Sequence, residues 1–401
     1  MYTLTSNQKA KLDAGFAAAF GAAPERYFSA PGRTEIGGNH TDHQQGRVLA
    51  AAVDLDTRAA VRENGTDTIR VLSEGYPLYS VDLNDLEPKK TEINTTAALI
   101  RGVAARFAQL GCEARGFDAY VVSTVLPGSG LSSSAAFEVL MGTIINALFF
   151  DGRATAPQIA AIGQYAENVY FGKPCGLMDQ MASSVGGLVA IDFRDPEAPA
   201  VQKVAFDFSA SGHALCIIDT RASHADLTDE YAAVPAEMKA VAAHFGCEVL
   251  TQVPENDFYA AVPALRASCG DRAVLRAIHF YEENSRVRGQ AAALERGDFD
   301  AFLELVKESG RSSYMYLQNV IVSGSKAHQD VALTLALCEK YLQGRGAFRV
   351  HGGGFAGTVQ AFVPVDLLGM FRKEIENVLG QGSCHVLSIR SEGGVELKTE
   401  G

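Results

Sequence analysis

Apolar and polar positions along the chain follow two periods, and each change of period marks a change of element. The opening MYTLTSNQKAKLDAGFAAAF repeats its apolar residues at helical spacing and predicts an amphipathic helix. RVLAAAVDLDTRAAVREN and DTIRVLSEGYPLYSVDL predict strands, with turns at Asn64-Gly65 and Gly75. TTAALIRGVAARFAQLG returns to helical spacing and ends on Gly111, a suitable C-cap. A strand (FDAYVVSTV), a loop (LPGSGLSSS) and a mostly apolar helix (AAFEVLMGTIINALFF) follow, and the missing polar face predicts that this helix is buried. Another strand signal lies at GGLVAIDF. Residues from about Arg194 to Ala200 are charged and contain proline, so the expected division is an N-terminal domain over 1–197 and a second over 198–401. In the second, HALCIIDT predicts a strand and several helices run to about Gly344. The remainder reads strand, Gly-rich turn, strand (FRVHGGGFAGTVQAFVPV), helix (LLGMFRKEIENVL), strand (CHVLSIR). Both halves are mixed α and β, so the fold class is α/β (α+β).

Composition narrows the partners. With 401 residues, 47% hydrophobic and 20% charged, the chain is an ordinary globular protein able to bury two cores. A net charge of -12 repels polyanions, which disfavours nucleic acid and anionic membranes and leaves small molecules as the expected partners. Seven scattered cysteines, none spaced as CxxC, predict reduced thiols in a cytoplasmic protein and no zinc site. No basic flank precedes an apolar block at the N-terminus, so no signal peptide is expected. No apolar stretch is of membrane-spanning length; the nearest runs from Leu140 to Phe150. His213, His224, His244, His279 and His328 form no ligand spacing and are expected to be surface or structural.

Four stretches carry candidate chemistry. Ala30 to Gly46, APGRTEIGGNHTDHQQG, is too polar and too Gly-broken for core and reads as a site. Leu126 to Glu138, LPGSGLSSSAAFE, leaves a strand and opens a helix, so free N–H groups and the positive end of the helix dipole converge where a phosphate would sit. Read alone, the same residues could be a turn and a serine N-cap. In AENVYFGKPCGLMDQMASS, Asp179 follows a Gly-Pro-Cys-Gly break, as an N-cap or as a catalytic carboxylate, and Glu167 reads locally as a surface helix residue. The glycines of VHGGGFAGTV, Val350 to Val359, require backbone freedom or close ligand approach.

In this order, the last three of these stretches resemble the three motifs of the GHMP kinases, and FGAAPERYFSAPGR followed by the HTD segment resembles the galactokinase branch. The resemblance extends through IDTRASHADLTDEYA and RAIHFYEENSRVRGQAAALERGDFDAF, nearly the whole chain. It implies a ferredoxin-like C-terminal domain and an active site in the cleft between two domains. Arg33 is implied as transition-state stabiliser and Asp179 as catalytic base, with Asn39, His40, Thr41, Asp42 and Tyr231 on the sugar. Gly128, Ser129, Gly130, Leu131, Ser132, Ser133 and Ser134 would form the ATP loop, with Ser134 and Glu167 on Mg²⁺. The implied reaction is ATP-dependent phosphorylation of galactose at its anomeric hydroxyl. Asn39 stands in GGNHTD where the family pattern GRVNLIGEHTDY has glutamate, and Glu35 and His43 also depart from it. An amide there would tolerate an acidic sugar such as galacturonate, which is the alternative substrate. A non-catalytic sugar- and ATP-binding regulator is the alternative of a different class.

Overall fold

The computed structural model describes residues 3–125, 130–222 and 227–399. A short strand β1 (Thr3–Leu4) leads into α1 (Ser6–Phe20), which starts on a Thr5–Gln8 capping box and buries Leu12 and Phe16. Four strands follow: β2 (Arg26–Gly37), the long β3 (Arg47–Glu63), β4 (Thr68–Ser73) and β5 (Leu78–Asp82). Then come α2 (Thr96–Gln109), β6 (Phe117–Ser123), α3 (Ser133–Phe149), α4 (Ala156–Tyr165), α5 (Met178–Val185), β7 (Leu188–Asp192) and β8 (Ala200–Val204). The later part holds β9 (His213–Asp219), α6 (Thr228–His244), α7 (Glu255–Ser268), α8 (Asp271–Glu295), α9 (Phe299–Ser312) and α10 (Asp330–Leu342). It closes with β10 (Ala347–His351), β11 (Thr358–Pro364), α11 (Leu368–Leu379), β12 (Cys384–Leu387), β13 (Val395–Glu396) and β14 (Lys398–Thr399).

Two main sheets organise these elements. The larger has eight strands in the order β13-β2-β3-β6-β4-β5, with β7 on β3 and β8 on β7; β4 and β6 are its parallel pair. The smaller runs β10-β11-β9-β12, antiparallel throughout. Ala50, Ala51 and Ala52 of β3 are fully buried, and these small side chains let α3, α5 and α8 approach the strand. Helices α2 and α3 cover the larger sheet over Phe28, Val61, Phe107 and Phe117. A second core joins the two sheets through Ile36, Leu49, Val125, Leu131, Ile217, Phe302 and Phe362. The expected division at 197/198 falls in the turn between β7 and β8, which pair antiparallel from Leu188↔Val204 to Asp192↔Ala200. β13 returns to the larger sheet and pairs with β2. Among the described residues no helix is long and apolar enough to cross a membrane. All seven cysteines are free thiols.

Candidate active site

Arg33 lies on β2 just past a register shift between Pro31 and Arg33, an irregularity that re-aims the side chain. The strand carries it to Asp179, in the first turn of α5. The pair is bidentate: Arg33 Nε donates to Oδ1 at 2.7 Å and Nη2 to Oδ2 at 2.7 Å. Arg33 Nη1 also donates to the Gly130 carbonyl, and the Arg33 backbone N–H donates to Leu131 O at 3.1 Å. The second element therefore fastens the loop before α3. Burial pushes the Asp179 carboxyl up, but the Arg33 charge and hydrogen bonds and the Ser132 hydroxyl outweigh it and hold the carboxyl below its ordinary range.

In that loop the serine at the cap position does not act as a cap. Ser132 occupies the N-cap position of α3 in the left-handed region, φ 54°, yet its side chain makes no capping hydrogen bond. Its hydroxyl donates to Asp179 Oδ2 instead. Arg33, Asp179 and Ser132 thus meet at the start of α3, where the first N–H groups of a helix have no partner within it. Ser134 Oγ donates to Glu167 Oε1 at 3.3 Å, so these two residues also come together. The surface expectation for Glu167 is overturned: it sits in a π-helical turn, Ala166–Phe171, and is 3% exposed. Lys173 Nζ lies 3.4 Å from the same oxygen. Gly128 and Ser129 lie outside the described residues, and the side chain of Leu131 belongs to the core between the sheets.

The sugar-side stretch divides. Asp42 heads a short 3-10 turn, and a Cβ at Gly176 would fall 2.3 Å from its Oδ2, so the motif carrying Asp179 passes directly over this carboxylate. Burial and then the Asp179 charge push the Asp42 carboxyl up to about 6. His40 is half-buried, and its Nε2 lies 3.0 Å from the Gly353 carbonyl. Asn39 and Thr41, expected on the sugar, are fully buried in the ligand-free chain. Asn39 Nδ2 donates to Gly352 O at 2.6 Å and to Glu35 Oε1 at 3.1 Å, while its Oδ1 accepts from Asn319 Nδ2 at 2.8 Å. Thr41 Oγ1 contacts the carbonyls of Gly38 and Arg47. The reason is satisfaction: a buried amide and hydroxyl find all their partners in the protein.

The Gly-rich turn after β10 is therefore a hub. Gly352 and Gly354 adopt φ of 69° and 77°, and the carbonyls of 352–354 accept from Asn39, His40, Asn319 and Tyr231. Tyr231, on α6, donates to Gly354 O at 2.9 Å and stands edge-on to Phe355. Sequence reasoning missed several members of this frame. His351 Nε2 accepts from Glu35 N–H at 3.2 Å and Nδ1 faces Thr358 Oγ1 at 2.8 Å; burial, then Arg33 and Arg349, keeps the ring neutral. Glu35 ion-pairs with the fully buried Arg349. His279, on α8, meets the Asn39 carbonyl at 2.9 Å, and Glu283 accepts from Gly38 N–H at 3.0 Å. Apart from Thr358, seven residues from His351, these partners lie 240 to 316 residues apart, so no local pattern announces them.

Comparison with known proteins agrees with this arrangement. The galactokinase galactose-binding signature matches residues 14–63 and the GHMP kinases N terminal domain matches residues 98–187. A galactokinase of Streptomyces coelicolor is 34% identical over 365 residues, 89% of each chain. The crystal structure of Lactococcus lactis galactokinase complexed with galactose superposes with a TM-score of 0.82 at 26% identity, covering 97% of this chain and 99% of that one. Methanococcus jannaschii mevalonate kinase shares the fold at a TM-score of 0.65 and 13% identity, over 91% of this chain and 98% of its own. With its Arg33–Asp179 pair beside the start of α3, its mixed α/β fold and this likeness along most of its length, the chain belongs to the galactokinase family of GHMP kinases.

Proposed function

We propose that this chain is a galactokinase that transfers the γ-phosphoryl group of ATP to the anomeric hydroxyl of galactose. The observation that carries this is the Arg33–Asp179 pair, whose two hydrogen bonds of 2.7 Å place a carboxylate and a guanidinium side by side at the start of α3. Asp179, held ionised by Arg33, accepts the hydroxyl proton, an effect of about 10² to 10⁴ in rate. Its lowered affinity for protons makes it a weak base, so the proton leaves late, as the new P–O bond forms. Arg33 neutralises charge developing on the transferred group, and the N–H groups at the start of α3 cradle the phosphates. Asp42, His40 and Tyr231 bind the sugar, with Gly130 and Ser132 to Ser134 along the nucleotide.

Ser134 and Glu167 would hold Mg²⁺, which supplies charge neutralisation at the β- and γ-phosphates. Their chemistry fits a hard cation: a hydroxyl and a carboxylate oxygen 3.3 Å apart, with a second buried carboxylate, Glu138, nearby. A cytoplasmic location belongs to the same reading, supported by seven unpaired cysteines. The hydrogen bonds of Asn39 to Gly352, Glu35 and Asn319 within the protein support galactose ahead of an acidic sugar. The test is ADP release with galactose, galacturonate and N-acetylgalactosamine side by side, with ³¹P NMR of the product. Galactose 1-phosphate as the fastest-formed product is expected; no turnover while galactose binds would make the chain a regulator.

A further inference from the structure

Gln180 follows Asp179 directly and is fully buried. Its single amide NH₂ donates to Glu138 Oε2 at 2.9 Å and to Glu167 Oε2 at 2.9 Å, so one nitrogen spends both protons on two carboxylates. Glu138 stands four residues after Ser134 on α3, one helical turn along the same face. Glu167 is thereby divided: Oε2 is taken by Gln180, and Oε1 alone faces Ser134 at 3.3 Å and Lys173 at 3.4 Å. Glu138 Oε1 and Gln180 Oε1, both buried, have no hydrogen-bond partner among the described residues. A buried arrangement this rich in acceptors is costly without a cation to share.

We propose that Gln180 is a positioning residue for the divalent cation: it clamps Glu167 so that a single carboxylate oxygen is presented beside Ser134, and it ties that oxygen to the helix that carries Asp179. The inference rests on the assignment of Ser134 and Glu167 as cation ligands. The one-residue step from Asp179 to Gln180 sets the cation oxygen and the proton acceptor in a fixed relation, because both ride on the first turn of α5. Outer partners of this kind typically change metal affinity by about 10- to 100-fold when removed.

The experiment measures ADP binding by calorimetry over a series of Mg²⁺ concentrations, where no turnover occurs, together with galactose binding. Gln180→Met keeps the volume and removes the donor. The expected result is a roughly 10-fold or greater weakening of the apparent Mg²⁺ affinity with galactose affinity unchanged. If Gln180→Met does not fold, the double variant Glu138→Met/Gln180→Met replaces it and is read against Glu138→Met alone, because Glu138 lies beside the cation ligands; a roughly 10-fold loss beyond that of Glu138→Met is expected. Parental Mg²⁺ dependence in the folded variant overturns the proposal, as does an equal loss of galactose and Mg²⁺ affinity, which marks a structural role. Glu167→Gln separates the two levels. If it weakens Mg²⁺ binding and the Gln180 variant does not, the positioning role fails alone; if it too has no effect, the cation assignment itself fails.

Discussion

Replacing Asp179 with asparagine separates the base from the scaffold. Asparagine keeps the shape and one acceptor oxygen, so Arg33 retains one of its two 2.7 Å hydrogen bonds and its contact with Gly130, and loses the other bond together with the charge. Losing one charge-assisted hydrogen bond costs about 1.5–3 kcal/mol. The larger penalty for breaking a fully buried ion pair, about 3–5 kcal/mol, does not apply in full because the Asp179 side chain is 30% exposed. Domains of ordinary stability, about 5–15 kcal/mol, survive such a loss, so the rate is read on folded enzyme. Removing the proton acceptor lowers kcat by about 10²- to 10⁴-fold, equivalent to about 3–5 kcal/mol of barrier. The assay is coupled ADP release at saturating galactose and ATP, with calorimetric galactose binding and a urea melt on the same preparation. A variant that binds galactose, melts cooperatively and keeps kcat within about tenfold of the parent would refute Asp179 as the base.

Three further outcomes follow from the same geometry. Arg349→Met strands Glu35 without its ion-pair partner in a buried setting and should cost about 3–5 kcal/mol in urea denaturation, whereas Glu35→Leu/Arg349→Met should recover most of it; equal losses would deny the pair. His279 is held at about 4, chiefly by burial, against about 6.5 when unfolded, so its contribution is complete above pH 6.5 and shrinks as pH falls toward 4. The worth of that limb is about 3 kcal/mol, and His279→Gln should flatten it; Glu283, held at about 2, contributes in full above about 4.5 and loses that contribution only as pH falls toward 2. For Asp42, at about 6, kcat/KM for galactose should rise through an inflection near that pH as the carboxylate loses its proton, and Asp42→Asn should abolish the inflection; its persistence would assign it elsewhere.

Order and spacing made the Arg33–Asp179 pair legible. Arg33 and Asp179 each sit in a motif whose glycines and neighbours resemble the family, and the fold brings them within hydrogen-bond reach. Most strands and helices were readable, down to the turn glycines 65 and 75, because their periods are long and clean; β2 was not, since Ala30 to Gly37, expected to be too polar and Gly-broken for core, forms a buried strand whose Arg33 and Glu35 find charged partners inside. The orientation of single residues inside a motif was not. Asn39 and Thr41 share a stretch with His40 and Asp42, yet the first two turn inward, because Gly352, Asn319 and Arg47 supply acceptors and donors from other elements. Gln180 was hidden for a similar reason: only the three-dimensional neighbours Glu138 and Glu167 distinguish it from a helix-surface amide.

The strand that edges β2, β13, comes from a distant part of the chain. Arg26 grips Glu396 across 370 residues, and Val395 and Glu396 pair with Ser29 and Phe28. During synthesis, the sheet that bears Arg33 therefore waits for the residues up to Glu396, 370 after Arg26, before its border closes, and the waiting edge offers unpaired N–H and C=O groups to any passing strand. Such long-range closure slows folding, and a fragment ending at 197 would keep that open border permanently. Overproduction at low temperature or with chaperones should raise the yield of the intact chain more than that of the fragment.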